Sequence, residues 1–523
     1  MLLAEPPSQA EPMLDSATQP LVLHPADNVA ILTARAPQGS RPLGLGVELS
    51  APVMPGHKIA REDIPLGGPI TKFGQVIGYA TKPIAAGEHV HTQNCAFGAH
   101  DQDYHVGADL EAARAAIPRL APRTFMGYRR DNGQVGTRNY IAVCATVNCS
   151  ATVIRRAAEQ VMSSGALRDY PNVDGVVAFA HGTGCGMAAS GPGFDNLQRV
   201  LWGHATHPNT GAAVFVGLGC EVMQVARMKS AFGSTGAERF HGLTIQDTGG
   251  TTKTIAKIVD QIHALLPEVN AIEREPIPAA ELKVALECGG SDGFSGITAN
   301  PALGVASDLL VGLGGTAILA ETPEIYGAEQ LLLRRAVSPE VAQKLVDRIR
   351  WWENYTAING GSMDNNPSPG NKAGGLTTIL EKSLGAAAKA GSTPLTDVFH
   401  YAEQVTTPGF VFMDTPGYDP VATTGQIAGG AQVVVFTTGR GSAFGSKPAP
   451  TIKVATNDRL YAQMPDDMDI NCGDIVSKGV TVQEKGAEIL EKILAVASGE
   501  KTKSEGLGLG DNEFVPWQVG AVM

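Results

Sequence analysis

From about residue 123 onward, short apolar segments alternate with amphipathic ones. The apolar segments have the length and β-branched content of buried strands, as in YIAVCATV, GVVAFA and AAVFVGLG. Between them, segments such as ATVIRRAAEQVMSS have the period of an amphipathic helix. Strands that are apolar on both faces and separated by helices are typical of βαβ units. The sequence therefore predicts an α/β fold with mainly parallel sheets.

Changes in composition divide the 523 residues into five parts. Residues 21–97 contain short β-type segments between Gly, Pro and charged turn residues, without a helical period, which predicts a small β module. Residues 1–20 are predicted to be a flexible tail, and residues 98–122 a linker with at most one short helix. The first α/β domain is predicted over residues 123–275 and the second over residues 276–523. The two α/β domains are divided at the polar stretch EREPIPAAEL.

Charge and cysteine content exclude several classes of protein. The formal net charge is −12 and no dense run of Lys or Arg occurs, so neither nucleic acid nor anionic membrane is the expected partner. No apolar stretch reaches the roughly 18 residues that a membrane span requires. Seven cysteines without an export signal indicate a reducing, cytoplasmic compartment. The expected partner is a small molecule, and the oligomeric state stays open, a homo-oligomer included.

Three cysteines each follow a predicted strand and precede a predicted helix: Cys149, Cys185 and Cys220. They are 36 and 35 residues apart, which is one βα unit each. Because successive βα turns lie at the same carboxyl edge of a parallel sheet, we expect the thiols to meet in space. Thiolates select iron–sulfur clusters, zinc or copper(I), and three ligands leave one coordination position open. This predicts a metal site, the alternative being that small buried cysteines only pack at tight turns.

Histidines supply the candidate acids and bases. His181 precedes Cys185 by four residues and should share the sheet edge with the thiols, where an imidazole can exchange protons. His89 and His91 alternate on a predicted strand, so both can reach one ligand or metal. The β module also contains three polar candidates for substrate binding, His24, Asp27 and Asn28. For single histidines a structural role is the alternative.

Turns after the predicted strands are candidate anion sites. The glycine-rich turn ECGGSDG and the helix start behind it offer backbone N–H groups and short polar side chains, which predicts carboxylate binding by Gly290, Ser291, Asp292 and Asn300. This turn lacks the order of a Walker loop or of GxGxxG, so nucleotide binding is disfavoured.

Two further loops carry cations or amides suited to a sugar acid. In NPSPGNKAGG, Asn371 can hold a hydroxyl and Lys372 can act as counter-ion or base. Arg440, after the strand QVVVF, offers a bidentate carboxylate contact. Arg138 and Asn139 are added as anion-binding candidates. An ordinary surface loop is the alternative for each of these segments.

The chain resembles the altronate and galactarate dehydratase family over nearly its whole length. The similar segments include GEHVHTQN, GYRRDNGQVGTRN, ECGGSDGFSGITANP, ETPEIYGAEQLL and NPSPGNKAGGL. The resemblance implies an N-terminal SAF-type module and dehydration of a hexonic or hexaric acid to a 2-keto-3-deoxy acid. It also implies iron, as Fe²⁺ or as an iron–sulfur cluster, with Mn²⁺ as a substitute.

Dehydration of a sugar acid removes the C2 proton and expels the C3 hydroxyl, which needs charge neutralisation and a Lewis acid or proton donor. Our hypothesis is that iron at Cys149, Cys185 and Cys220 binds the substrate while His181 or Lys372 exchanges protons. A second hypothesis places the metal at His89 and His91. Altronate is the favoured substrate. The alternatives are a galactarate dehydratase, a lyase for hydroxy sulfonates, and a non-catalytic sugar-acid binder.

Overall fold

The computed structural model describes residues 20–98, 104–232 and 240–520. The predicted flexible tail lies outside the described residues except for residue 20. Within the described ranges, no helix is long and apolar enough to cross a membrane. The predicted fold class is confirmed, because a small β module precedes two larger parallel sheets.

The β module contains six short strands, β1 to β6, at Val29–Ile31, Lys58–Ala60, Pro69–Lys72, Gln75–Ala80, His89–Val90 and Cys95–Ala96. They form two antiparallel sheets of order β1-β2-β5 and β3-β4-β6. Alternate residues such as Ile70 and Ile77 point into a core that also contains Leu384 and Ala387 from the second α/β domain. The module therefore shares its core with the rest of the chain.

The linker contains one short helix, α1 at Leu110–Ala115. After it, strands β7 to β13 occupy Thr124–Arg129, Val135–Gly136, Tyr140–Ala145, Gly175–Phe179, Thr210–Gly217, Phe240–Thr244 and Arg274–Pro278. Helices α2 to α6 occupy Asn148–Ser164, Pro192–Ala205, Val225–Phe232, Ile245–Thr248 and Thr251–Asn270. Strands β10-β9-β11-β12 form a parallel sheet, with α2 and α6 packed on one face and α3 on the other.

The stretch predicted to divide the two α/β domains is itself a strand. β13 pairs with β7 in an antiparallel sheet of order β13-β7-β8. Its proline-bearing sequence is compatible with this position because a strand at the edge of a sheet needs fewer backbone donors.

The second α/β domain is built on strands β14 to β20, at Lys283–Cys288, Thr316–Leu319, Leu395–Phe399, Gly409–Met413, Val433–Thr438, Thr451–Ala455 and Ile470–Asn471. Its helices α7 to α16 are Ala299–Gly312, Gln330–Leu333, Pro339–Ile358, Pro369–Ala373, Ile379–Ala387, Asp419–Ala428, Asp458–Gln463, Asp474–Ser477, Val482–Ala497 and Lys503–Gly506. Short 3₁₀ turns lie at Ala166–Asp169, Ala279–Glu281, Thr322–Ile325, Met363–Asn365 and Ala388–Ala390. All seven strands are parallel, in the order β16-β17-β15-β14-β18-β19-β20.

A buried ion triad fixes the β module to the second α/β domain. Lys58 and Lys72 of the module donate to Glu381 on α11, at Nζ–O distances of 2.8 and 2.9 Å. Thr377 also donates to this carboxylate through its backbone N–H and its hydroxyl. Although burial opposes ionisation, the two lysines hold the pKa of Glu381 below its usual range.

Replacing Glu381 by Gln is expected to lower the free energy of unfolding by about 3–5 kcal/mol, because two buried ammonium groups lose their counter-charge. A carboxylate of depressed pKa contributes stability above its unfolded pKa and loses it as the pH falls, so the difference from wild type should shrink in acid. Urea unfolding at several pH values measures this difference in the free energy of unfolding, and the Glu111→Gln variant, at an exposed glutamate, is the control. An unchanged midpoint in Glu381→Gln would contradict the assignment.

Candidate active site

A cavity of about 430 Å³ lies at the carboxyl edge of the seven-stranded sheet. Its wall contains residues that follow β14, β15 and β17: Cys288, Gly289 and Gly290, then Pro323 and Glu324, then Gly417, Tyr418 and Asp419. From β14 the chain continues to β15, its neighbour on one side, and only later reaches β18, its neighbour on the other side. Such a reversal of strand order is a switch point, where ligands bind in open α/β sheets. The volume suits a small molecule.

A network of carboxyl, thiol and ammonium groups lies in and under the cavity wall. Lys382 donates to Glu324 Oε1 at 2.6 Å, and Asn366 donates to the same oxygen at 2.7 Å. Deeper in the sheet edge, Lys389 lies 3.0 Å from Cys288 Sγ and 3.5 Å from a carboxylate oxygen of Glu321. The cavity therefore has a fixed cation–carboxylate pair at its surface, and a second lysine, Lys389, lies beneath it beside a thiol and a carboxyl group.

Burial gives several of these groups pKa values far from the usual ones. It raises the pKa of Asp419 to about 6, with the nearby charge of Glu324 adding to the effect. Burial and Glu324 together raise the pKa of Glu321 to about 8, and burial and Glu321 raise the pKa of Glu287 well above its usual value. The pKa values of Asp419 and Glu321 therefore lie on opposite sides of neutrality, a separation typical of acid–base sites.

Three histidines of the β module form a compact triad: His57, His89 and His91. Their ligand atoms all lie within 4.8 Å of one another, and His57 Nδ1 is 3.1 Å from His89 Nε2. Burial, followed by neighbouring positive charge, lowers the pKa of His89 to about 3 and that of His91 to about 4. All three imidazoles are therefore neutral near pH 7, with lone pairs available.

The histidine triad fits a metal ion. His57 Nε2 lies 3.3 Å from the carbonyl oxygen of Ala373, an arrangement that puts the proton on Nε2 and leaves Nδ1 as the unprotonated nitrogen that faces His89 Nε2. His91 Nδ1 is buried and has no hydrogen-bond partner among the described residues. Imidazole nitrogen is a common ligand of first-row transition metals, and three such ligands leave positions open.

Cys288, Glu321 and Glu324 also place their donor atoms within 4.8 Å of one another. Lys389 Nζ already lies 3.0 Å from the Cys288 sulfur, and Lys382 already neutralises Glu324. A divalent cation there would face two buried ammonium groups at close range. The histidine triad is therefore the better metal site.

Helix α10 connects the triad to the cavity. Ala373 at its end contacts His57, while Asn371 lines the cavity and donates to the Ser291 carbonyl at 2.8 Å. A helix of five residues is only about 7 Å long. Lys372 projects from this helix, and its charge contributes to the lowered pKa of His91, after burial and Lys58. The structure thus brings the predicted His89, His91, Asn371 and Lys372 into one region.

The predicted glycine-rich turn is at the cavity, but its polar side chains hold the loops together. Gly290 lines the cavity and accepts hydrogen bonds from the backbone N–H groups of Gly439 and Arg440. Asp292 accepts from Ser295, Thr456 and Asn457, and Asn300 bonds Gly385 and Thr437. Ser291 is buried and Arg440 is exposed beside Gly290. Asp292 and Asn300 thus hold loops together in this structure, and substrate binding by them stays a prediction.

The predicted anion-binding residues Arg138 and Asn139 do not line the cavity. The Arg138 guanidinium pairs with Glu505 at 2.7 and 2.8 Å and donates to three backbone carbonyls, so its donors are used inside the fold. Asn139 bonds Arg130 and the carbonyls of Asn172 and Val269. Arg138 connects the first α/β domain to the second, whereas Asn139 holds segments of the first domain together.

The polar residues near the start of the β module are also structural. Asp27 accepts from the backbone of His24 and Gly74, and Asn28 exchanges hydrogen bonds with Pro69 and Thr71. His24 Nδ1 accepts from Ala26. These contacts close the turn before β1 against the β3–β4 hairpin, and substrate binding by these residues stays a prediction.

His181 is not a free acid or base. Its Nδ1 accepts from the Thr183 backbone at 3.2 Å, and its Nε2 lies 2.8 Å from the Ala145 carbonyl. Burial lowers its pKa to about 4. Both ring nitrogens therefore contact the backbone in this structure, and proton exchange by His181 stays a prediction.

The three predicted thiol ligands are exposed at the edge of the four-stranded sheet. All residues that line the cavity belong to the second α/β domain, whereas Cys149, Cys185 and Cys220 belong to the first. The cavity wall therefore contains none of the three thiols, just as it contains none of the three triad histidines. A metal at Cys149, Cys185 and Cys220 stays a prediction.

The sequence analysis missed His57, Glu324, Lys382 and Asp419. Glu324 and Asp419 each follow an apolar strand, after TAILAE and GFVFMD, so their position at a strand end was the available signal. His57 lies on the residue before β2, 32 residues from its partner His89, and no local pattern marks it. Lys382 lies inside an amphipathic helix, where a lysine normally indicates a solvated face.

A parallel-sheet cavity with ionisable groups of separated pKa is typical of an enzyme with an acid–base site, and helix α10 connects this cavity to a histidine triad. Comparison with known protein families gives three successive matches: "Altronate/galactarate dehydratase SAF domain" over 18–97, "D-galactarate dehydratase/Altronate hydrolase, second domain" over 127–270, and "D-galactarate/Altronate dehydratase, C-terminal" over 279–522. The chain belongs to the altronate/galactarate dehydratase family of hydro-lyases. The resemblance drawn from its motifs is confirmed.

Named relatives cover nearly the whole chain. The altronate dehydratase of Bacillus subtilis (strain 168) is 37% identical over 487 residues, 92% of this chain and 96% of that protein. The altronate dehydratase of Escherichia coli (strain K12) is 37% identical over 490 residues, covering 93% and 97%. The galactarate dehydratase (L-threo-forming) of the same strain is 38% identical over 496 residues, covering 93% and 94%.

Proposed function

We propose that the chain dehydrates altronate to a 2-keto-3-deoxy acid in the cavity at the switch point. Two altronate dehydratases match it over more than nine-tenths of both lengths, which supports this substrate. The seven free cysteines support a cytoplasmic location.

In this proposal Asp419 removes the proton from C2. It lines the cavity at the start of α12, and its pKa of about 6 leaves a carboxylate of useful basicity at neutral pH. Lys382, an ammonium despite its burial, neutralises the substrate carboxylate on which negative charge develops. Burial raises the pKa of Glu321 and of Glu287 and so favours their neutral forms, which limits the negative charge near the anionic substrate.

The histidine triad is proposed to hold iron(II), with Mn²⁺ as a substitute. Such an ion supplies a Lewis acid for the carboxylate or the departing hydroxyl of the substrate. His57, His89 and His91 hold it, and the Ala373 carbonyl orients His57.

One observation favours a monocarboxylate over a dicarboxylate. Among the described residues that line the cavity, Lys382 is the one cationic side chain, and Glu324 already shares its charge. A hexarate would bring a second carboxylate toward Asp419 and Glu324 without a matching cation in the wall. This favours altronate over galactarate.

The test is a panel of hexonates, hexarates and a hydroxy sulfonate, assayed for keto-acid formation with iron(II) under anaerobic conditions. Altronate is expected to have the highest kcat/KM. Tight binding of altronate without a keto product would refute the enzyme proposal, and preferred turnover of galactarate would refute the substrate assignment.

The pH dependence of turnover is expected to be bell-shaped. Activity should rise as Asp419 loses its proton near pH 6, because the carboxylate is the proposed base. It should fall as Glu321 loses its proton near pH 8, because a second buried negative charge opposes binding of an anionic substrate. Steady-state kcat/KM from pH 5 to 9 measures both limbs. Glu321→Gln should abolish the alkaline limb only; a variant that keeps it would show that another group titrates there.

A further inference from the structure

A second cavity, of about 220 Å³, lies between the two α/β domains. Helix α3 of the first domain contributes Asn196 and Arg199 to its wall. The second domain contributes Arg348 on α9, His400 after β16, and Trp517 near the end of the chain. Among the described residues, no side chain lines both this cavity and the one at the switch point. The two cavities are therefore distinct.

Two arginines, one from each domain, reach the same part of this cavity. Arg348 Nη1 donates to His400 Nδ1 at 3.4 Å. Arg199 Nη1 donates to the carbonyl of Tyr401, the next residue, at 3.4 Å. Burial and then the charge of Arg348 lower the pKa of His400, and the charge of Arg199 acts in the same direction. Two guanidinium groups therefore converge on an imidazole whose neutral form is favoured.

Most donors of these two guanidinium groups are not used inside the fold. A guanidinium has five N–H donors. In the part of the chain that the structure describes, Arg199 and Arg348 each make one hydrogen bond, and its length of 3.4 Å is long for a charged donor. By contrast, Arg138 donates to Glu505 and to three backbone carbonyls. The donors of Arg199 and Arg348 are therefore available to a ligand in the cavity.

The acids of the wall do not neutralise these arginines. Asp414 Oδ2 lies 3.8 Å from Arg348, beyond hydrogen-bond distance, while its Oδ1 accepts from Thr322 and from Trp352 Nε1 at 2.6 and 2.8 Å. Burial raises the pKa of Asp414 and so favours its neutral form. Asp195 is exposed, so solvent and salt screen its charge. The cavity therefore favours an anion.

Three of the four tryptophans of the chain lie beside this cavity. Trp351 and Trp517 line it, with ring centroids 5.6 Å apart and an angle of 85° between the rings. Trp517 also stacks on Trp352, at a centroid distance of 5.3 Å, and Trp352 lines the cavity at the switch point. The cluster thus separates the two cavities, and its fluorescence can report on a ligand.

Donor type and volume indicate the class of ligand. Guanidinium groups bind carboxylates and phosphates through paired N–H donors. The cavity has about half the volume of the one at the switch point, 220 against 430 Å³, so its ligand should be smaller than a six-carbon sugar acid. A small oxyanion meets both conditions.

We propose that the cavity between Arg199 and Arg348 binds a small oxyanion, phosphate or a short-chain carboxylate, at a site separate from that of the sugar acid. Binding uses the donors of both arginines, so it joins the first α/β domain to the second. The proposal does not depend on the reaction assigned to the cavity at the switch point.

The test is titration of the full chain with inorganic phosphate in one series and pyruvate in another, at fixed ionic strength, followed by tryptophan fluorescence and calorimetry. Wild type should bind one equivalent of at least one of these anions, and the series that binds identifies the phosphate or the carboxylate. Arg199→Gln and Arg348→Gln should each weaken binding at least about tenfold, because each removes charged hydrogen bonds. Arg350→Gln, at an exposed arginine of the same helix α9, is the matched control and should bind as wild type does.

Lys382→Gln separates this site from the cavity at the switch point, because it removes the cation of that other wall. It should bind the anion as wild type does even where turnover is lost, and circular dichroism checks the fold of each variant. No binding of either anion by wild type at millimolar concentration would overturn the proposal. So would unchanged affinity in both Arg199→Gln and Arg348→Gln, or a loss of binding confined to Lys382→Gln.

Discussion

Replacing His57, His89 or His91 by Ala is expected to remove a divalent metal from the chain and to abolish turnover with it. Each substitution deletes one of three imidazoles whose ligand atoms lie within 4.8 Å of one another. Loss of a residue that merely orients a ligand costs about 10–100-fold in metal affinity, and loss of a ligand should cost more. Metal content after anaerobic dialysis against iron(II), together with kcat for altronate, measures both effects.

His263→Ala is the matched control, because this histidine is exposed on α6 and far along the chain from the β module. It should bind metal and turn over substrate as wild type does. If His89→Ala retains stoichiometric iron(II) and full kcat, the triad is not the metal site.

The second large effect is expected at Asp419. Asp419→Asn keeps the size of the side chain and removes its basicity. The kcat should therefore fall by about 10²–10⁴-fold, which is the usual contribution of a general base to the rate. Metal content and altronate binding should stay near wild type, because the residue is not part of the histidine triad. Stopped-flow or steady-state kinetics measure the loss of kcat, and isothermal titration measures altronate binding separately.

Asp466→Asn is the control for this substitution. Asp466 is exposed on the turn before β20, and its loss should leave kcat unchanged. An Asp419→Asn variant with at least half of the wild-type kcat would contradict the assignment of the base.

The β-strand and helix pattern predicted the parallel sheets and the position of the thiols at strand ends. These features depend on local periodicity, which a single sequence contains. The histidine pair of β5 was predicted for the same reason, since alternation along a strand fixes which side chains share a face.

The cavity could not be predicted in the same way. Glu324, Lys382 and Asp419 come from three separate segments, and a charged residue in sequence normally indicates exposure. Only the fold shows that Glu324 and Lys382 neutralise each other in a buried wall. For Arg138 the sequence predicted an anion contact, and the structure does show one with a carboxylate. That carboxylate belongs to Glu505 of the same chain, 367 residues away, which no local pattern indicates.

The most direct test of the proposed reaction is proton NMR of altronate turnover in D₂O, with iron(II) under anaerobic conditions. Removal of the C2 proton and loss of the C3 hydroxyl give an enol, which takes its new C3 hydrogen from solvent. We predict a 2-keto-3-deoxy acid with one deuterium at C3, formed by wild type and not by Asp419→Asn. Altronate that stays unchanged with wild type, or a product without deuterium at C3, would contradict the account.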